Sequence, residues 1–290
     1  MRGQVARDIS YSSSARTKGG KALIRVLENA TGRISLIRRA EGYEVEVERG
    51  RNFWEVMVDR YGLSLDVVQG SLSDIPANGP LILIANHPYG ILDGLMMGLI
   101  LARVRGDFRI LANSVFRKAE ALNRVILPVS FDETKAAMQE NLATRKAALS
   151  YLAEGGAIGV FPGGTVSTAL RPMGPPMDPG WRSFTAKMVA KSDATVVPIF
   201  FDGHNSLLFQ LASHLHETLR LALLLKEFRS RVDEPVRVAI GRPIDRARLN
   251  ALGQDAKAMM DFLRNSTYEL SPRPLKSLAY GYEFDHKRRA

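Results

Sequence analysis

His87 leaves the apolar run Leu81-Ile-Leu-Ile-Ala85 by way of Asn86, and Asp93 follows after Pro88, Tyr89, Gly90, Ile91 and Leu92. An imidazole exchanges a proton near neutral pH, and a carboxylate on one ring nitrogen fixes the tautomer whose other nitrogen accepts one. Such a pair can take a proton from an alcohol or an amine. Residues six apart on one helix point to nearly opposite sides, so the two side chains meet only if Pro88 and Gly90 bend the chain and the helix begins near Leu92. The same residues also suit a plain strand-to-helix turn, with His87 structural and Asp93 an N-cap.

A second apolar run, Ala157-Ile-Gly-Val-Phe161, reads as a strand that feeds Pro162-Gly163-Gly164-Thr165-Val166-Ser167. Glycines let backbone N–H groups approach an anion closely, and Thr165 and Ser167 add hydroxyl donors. A third run, Ala194-Thr-Val-Val-Pro-Ile-Phe-Phe201, is rich in β-branched residues, with Pro198 suited to a strand terminus or edge. Asp202, His204 and Asn205 read as loop residues capping a helix that begins near Ser206.

These blocks, in this order, resemble the glycerolipid acyltransferases, the lysophosphatidate acyltransferase superfamily. Its first block is Asn-His, four residues, Asp; here five residues separate His87 from Asp93. That form is similar to a bacterial branch described as hemolysin-like or lyso-ornithine-lipid acyltransferases, which the turn Asp178-Pro-Gly-Trp181 also resembles. The resemblance implies His87 as general base and Asp93 as its orienting carboxylate, with Asn86 and Gly90 in the same block. It implies acceptor binding by Pro162, Gly163, Gly164, Thr165 and Ser167. Two residues of the usual Phe-Pro-Glu-Gly-Thr-Arg-Ser block are replaced, Glu by Gly163 and Arg by Val166, which removes a bidentate phosphate clamp. Arg171 or Arg182 could substitute, or the acceptor could carry a different head group. The family's remaining block maps onto Phe108 to Lys118, where Asn113 and Arg117 could face the crevice.

The resemblance implies transfer of a fatty acyl group from acyl carrier protein or acyl-CoA to the hydroxyl of a lyso-lipid, a lysophospholipid or lyso-ornithine lipid, with no cofactor beyond the acyl donor. A hydrolase would need a serine nucleophile, and neither Ser114 nor Ser167 stands in a Gly-x-Ser-x-Gly elbow. A catalytically silent lipid-binding protein is the other alternative.

To position these residues the chain alternates strands and helices. Strands are expected at Leu65 to Val68, Leu81 to Ala85, Phe108 to Leu111, Val125 to Val129, Ala157 to Phe161, Thr195 to Phe201 and Val236 to Ile240. Helices are expected after Asp93, over Glu133 to Ala153, Trp181 to Lys191, Ser206 to Phe228 and Asp255 to Leu270. The pattern predicts an α/β fold: one domain over 61–290 with a central mixed sheet flanked by helices. A basic, helical, membrane-associating arm is expected over 1–60, in which Lys21 to Arg39 alternates apolar and basic residues as an interfacial helix would. Pro172 to Pro179 reads as an irregular loop.

The 290 residues are 46% hydrophobic, enough for a substantial core. With no cysteine there is no thiol nucleophile, thiolate metal site or disulfide, and the five histidines are too scattered for a zinc signature, so no metal is expected. No apolar run reaches the roughly eighteen residues that span a bilayer, and no secretory signal is visible, so the expected location is peripheral, on the cytoplasmic face of the inner membrane. Forty basic against thirty acidic residues give a net charge of +10. That favours an anionic membrane surface or an acidic acyl carrier protein, and no nucleic-acid recognition motif accompanies it.

Overall fold

The computed structural model describes residues 10–15, 17–113, 120–130 and 134–284. Its strands are β1 (Ser64–Gln69), β2 (Leu81–Ala85), β3 (Arg109–Asn113), β4 (Ile126–Val129), β5 (Ala157–Val160), β6 (Thr168–Ala169), β7 (Pro176–Met177), β8 (Thr195–Phe201) and β9 (Pro235–Ile240). The helices are α1 (Lys18–Thr31), α2 (Arg33–Ala40), α3 (Tyr43–Glu48), α4 (Phe53–Arg60), α5 (Ile91–Arg105), α6 (Glu120–Asn123), α7 (Lys135–Ala153), α8 (Ser183–Ala190), α9 (Leu207–Leu215), α10 (Glu217–Arg229), α11 (Arg246–Ala251) and α12 (Ala256–Tyr268).

Seven strands form one sheet in the order β1-β9-β8-β2-β5-β3-β4. From β8 to β4 all neighbours are parallel, β8 and β9 are antiparallel, and β1 runs parallel to β9. This is the α/β fold with a mixed central sheet that the alternation predicts. β2 lies in the middle and is buried at every residue. Its period of two sends Leu81, Leu83 and Ala85 to one face, beneath α4 and α5, and Ile82 and Ile84 to the other, beneath α7, α8 and α12. At roughly 1.5–3 kcal/mol per fully buried aliphatic side chain, the strand is held firmly from both sides. α5 is apolar on nearly every side from Leu95 to Leu101 because it is buried there, and only its last turn carries the basic Arg103 and Arg105. A Cβ at Gly98 would lie 2.2 Å from the Trp54 ring, so glycine there lets the indole press against the helix.

The N-terminal helices are folded onto the domain. Gly32 separates α1 from α2, where a single helix was expected. Ile24 of α1 is wholly buried beside Ala222 of α10. Leu36, Ala40, Tyr43 and Trp54 join the same cluster as Leu83 and Leu99, so one core runs through residue 60. Glu28 is also buried, accepting from Ser10 Oγ and the Tyr11 N–H, and burial raises its pKa.

Two further expectations are corrected. The stretch from Ser206 to Phe228 is two helices, because His216 adopts an extended backbone (φ −162°, ψ 137°) and its ring Nδ1 accepts from the Thr218 N–H at 3.0 Å. The Pro172 to Pro179 segment is partly regular, since β7 pairs antiparallel with β6. Among the described residues no helix is long and apolar enough to cross a membrane.

Candidate active site

β2 delivers His87 to the C-terminal edge of the parallel strands, where open α/β sheets form their ligand crevices. Gly90 holds a positive φ of 91° at the N-cap of α5, and the turn it makes brings Asp93 back toward His87. His87 Nδ1 stands 2.9 Å from Asp93 Oδ2. The distance is that of an ion pair, but the angle is not that of a well-aligned hydrogen bond; such contacts commonly tighten only when substrate binds. The same Oδ2 accepts from the backbone N–H groups of Tyr89 (2.8 Å) and Gly90 (2.9 Å), while Oδ1 has no partner among the described residues. Burial raises the Asp93 pKa, and the His87 ring and the two N–H groups pull the other way.

The ring of Phe161 stacks on the His87 imidazole, with centroids 4.4 Å apart and planes inclined by 29°. His87 keeps 19% of its side chain exposed against none for Asp93. With Nδ1 turned to the carboxylate, Nε2 is the ring nitrogen left to meet a substrate, and it makes no hydrogen bond to another described residue.

The glycine block packs directly against this corner. Ser167 N–H donates to the His87 carbonyl at 2.8 Å. Asp178, fully buried, accepts from the His87 N–H (3.1 Å) and the Ser167 hydroxyl through Oδ1, and from the Trp181 indole N–H (2.9 Å) through Oδ2. A Cβ at Gly163 would lie 3.2 Å from Asp178 Oδ2. Any side chain at that position would bring its Cβ tight against the Asp178 carboxylate, which favours the glycine.

Arg220, on α10, reaches the block from outside it. Its guanidinium donates to the hydroxyls of Thr165 (2.9 Å), Thr168 and Ser213 (3.1 Å) and to the Val166 carbonyl (2.7 Å), and it lies over the Phe209 and Phe284 rings. Burial lowers its pKa to about 9, so it stays cationic at neutral pH. Buried and held by these protein groups, Arg220 braces the block from behind and does not supply the phosphate clamp that Val166 lacks.

Of the expected site residues, the structure gathers His87, Asp93, Gly90, Pro162, Gly163, Gly164 and Thr165 at one corner. Asn86 is buried and exchanges two hydrogen bonds with the Phe201 backbone, pinning β2 to β8. The Ser167 hydroxyl is turned inward to Asp178. Asn113 ends β3, two strands from β2 on the same sheet edge. Arg171 is exposed on the β6–β7 hairpin and makes no hydrogen bond or ion pair to the block, so it does not stand in for the missing arginine. Arg182 pairs with Glu283 at 3.8 Å. Arg117 and Ser114 lie outside the described residues. Asp202 pairs with Arg237 at 2.8 Å, and the cap of α9 is Ser206 itself, whose hydroxyl accepts from the Phe209 N–H. Sequence reasoning missed Arg220 and the bracing role of Asp178; the Asp-Pro-Gly-Trp turn was the one signal that could have exposed the latter.

The chain is similar to known proteins. The sequence model of the family described as Acyltransferase matches residues 34–275. A lyso-glycine lipid O-acyltransferase of Phocaeicola vulgatus is 25% identical over 180 residues, 60% of this chain; the match spans 62% of that relative. The crystal structure of the 1-acyl-sn-glycerophosphate (LPA) acyltransferase PlsC from Thermotoga maritima aligns with 91% of this chain and 87% of its own, at 17% identity and a TM-score of 0.47.

Proposed function

The chain belongs to the acyltransferase family, and from that premise we propose that it moves a fatty acyl group from a thioester of acyl carrier protein or coenzyme A to the hydroxyl of a lyso-lipid at an anionic membrane surface. The observation that carries the reading is the 2.9 Å approach of His87 Nδ1 to buried Asp93, with the imidazole stacked on Phe161 beside the glycine block. His87 Nε2 takes the proton of the acceptor hydroxyl as its oxygen bonds to the thioester carbonyl carbon. The tetrahedral intermediate collapses with cleavage of the C–S bond, and the imidazolium returns the proton to the leaving thiolate. Asp93 holds the ring and stabilises its cationic form. Backbone N–H groups of Gly163 to Thr165 position the acceptor head group.

The acceptor class is suggested by Val166, which leaves no arginine in the block to clamp a phosphate, and by the similarity to a relative named for a lyso-glycine lipid. A lyso-amino-acid lipid, lyso-ornithine lipid included, fits this better than a lysophospholipid. The test is to incubate the protein with radiolabelled acyl donor and a panel of lyso-lipids, beside His87→Ala. Transfer to one acceptor, reduced at least about 10³-fold in the variant, supports the reading. Free fatty acid as the sole product would make the protein a hydrolase, and lipid binding without turnover a silent binder.

A further inference from the structure

α9 is built inside out. It carries no Asp, Glu, Lys or Arg, and its solvent-facing side is Leu207, Leu208, Leu211 and Leu215, between 40% and 75% exposed. At 100° per residue these four fall within one face about 100° wide, the arrangement a surface helix normally reserves for the core. Its polar residues point inward instead. Gln210 Oε1 accepts from the Ala169 N–H at 3.0 Å, His214 Nε2 lies 2.9 Å from the Ala169 carbonyl, and Ser213 accepts from Arg220. The next residue along the hairpin, Leu170, is also exposed, and Met173 at the tip is 84% exposed.

We infer that the leucine face of α9, together with Leu170 and Met173, is the surface by which the protein inserts into an anionic lipid bilayer. Contiguous apolar surface of this kind costs solubility unless something covers it, and a helix with one apolar face lies naturally in the headgroup region. The rim has the charge for it: Lys18 and Lys21 are exposed on α1, and Arg171 stands between Leu170 and Met173. α1 begins beside the α9–α10 corner, where a Cβ on Gly20 would lie 3.8 Å from Thr218 Oγ1. Glu217 is the acidic residue nearest to the face in sequence. The inward side of α9 holds the strand that leaves the glycine block, so docking would set that block directly beneath the headgroups. The inference rests on the reading that the acceptor is a membrane lipid, and it locates where that lipid enters.

The test compares the full-length protein with Leu208→Glu/Leu211→Glu, and with Met138→Glu/Leu142→Glu. The latter pair makes the same charge change at exposed apolar positions of α7, across the sheet. Sedimentation with phosphatidylglycerol-rich vesicles should show binding weakened at least about 30-fold by the α9 variant and much less by the α7 variant. Transfer to a short-chain lyso-lipid held below its micelle concentration should be the same in all three. Equal loss in both variants, or none in the α9 variant, overturns the inference. So does a wild-type dimer in solution that the α9 variant dissociates, because the face would then belong to a second copy. If vesicle binding behaves as expected but no protein transfers acyl groups to any acceptor, the docking face stands and the enzymatic reading falls.

Discussion

Asp93 and Asp178 are both sealed from solvent and both hold His87, the first by its ring and the second by its backbone N–H, yet they are satisfied very differently. Asp178 uses both carboxylate oxygens on three donors from three segments, and its own backbone is fixed in turn, its N–H donating to the Tyr268 hydroxyl and its carbonyl accepting from Arg264. Asp93 gathers the His87 ring and two backbone N–H donors at Oδ2 and leaves Oδ1 without a partner among the described residues. A saturated buried carboxylate is a bracket. One with an unpaired oxygen and a raised pKa is retained at a cost to stability, which is the usual mark of a group kept for chemistry.

The sharpest way to break this contrast is Asp93→Asn. It keeps the shape and an acceptor for the two N–H groups but removes the buried charge, so kcat should fall about 10²–10⁴-fold while the thermal midpoint holds or rises. A midpoint that drops with the activity, measured by calorimetry, would make Asp93 one more bracket. Next comes Asp178→Ala, which strands the His87 N–H, the Ser167 hydroxyl and the Trp181 indole N–H. At about 1–3 kcal/mol for each unsatisfied donor, less what solvent recovers, the loss in urea-unfolding free energy should be about 3–5 kcal/mol. An unchanged urea midpoint would show that the bracket bears no strain.

The smallest effect has a definite sign. Because the folded state raises the Asp93 pKa above 3.8, it holds that proton more tightly than the unfolded chain does. Wild-type stability therefore declines as pH rises from about 4 through the folded value, and Asp93→Asn lacks this decline. Urea titrations at successive pH values should show the variant gaining on the wild type toward neutrality. A gap that narrows instead would reverse the assignment.

What the sequence made legible follows the reach of its signals. β2 was read to the residue because five consecutive aliphatics end in polar turn residues on either side. The His87–Asp93 meeting was readable because Pro88 and Gly90 supply the bend within the motif. The break at His216 was not, since neither glycine nor proline marks it and the apolar pattern runs on; an extended backbone with a ring nitrogen capping Thr218 did the work. The Arg220 contacts with the glycine block and the hold of Asp178 on His87 were out of reach for a different reason: they join residues 52 to 91 apart along the chain and form only on packing.

The place of β2 in the sheet also governs how this molecule comes into being. The strand is synthesised early, but its neighbours begin only at Ala157 and Thr195, and β1 waits for Pro235. A nascent chain thus carries its greasiest segment with both edges open until most of the polypeptide has left the ribosome, a state prone to aggregate and slow to resolve. Fragments ending before Thr195 leave one edge of β2 unpaired and Asn86 without the Phe201 backbone that anchors it.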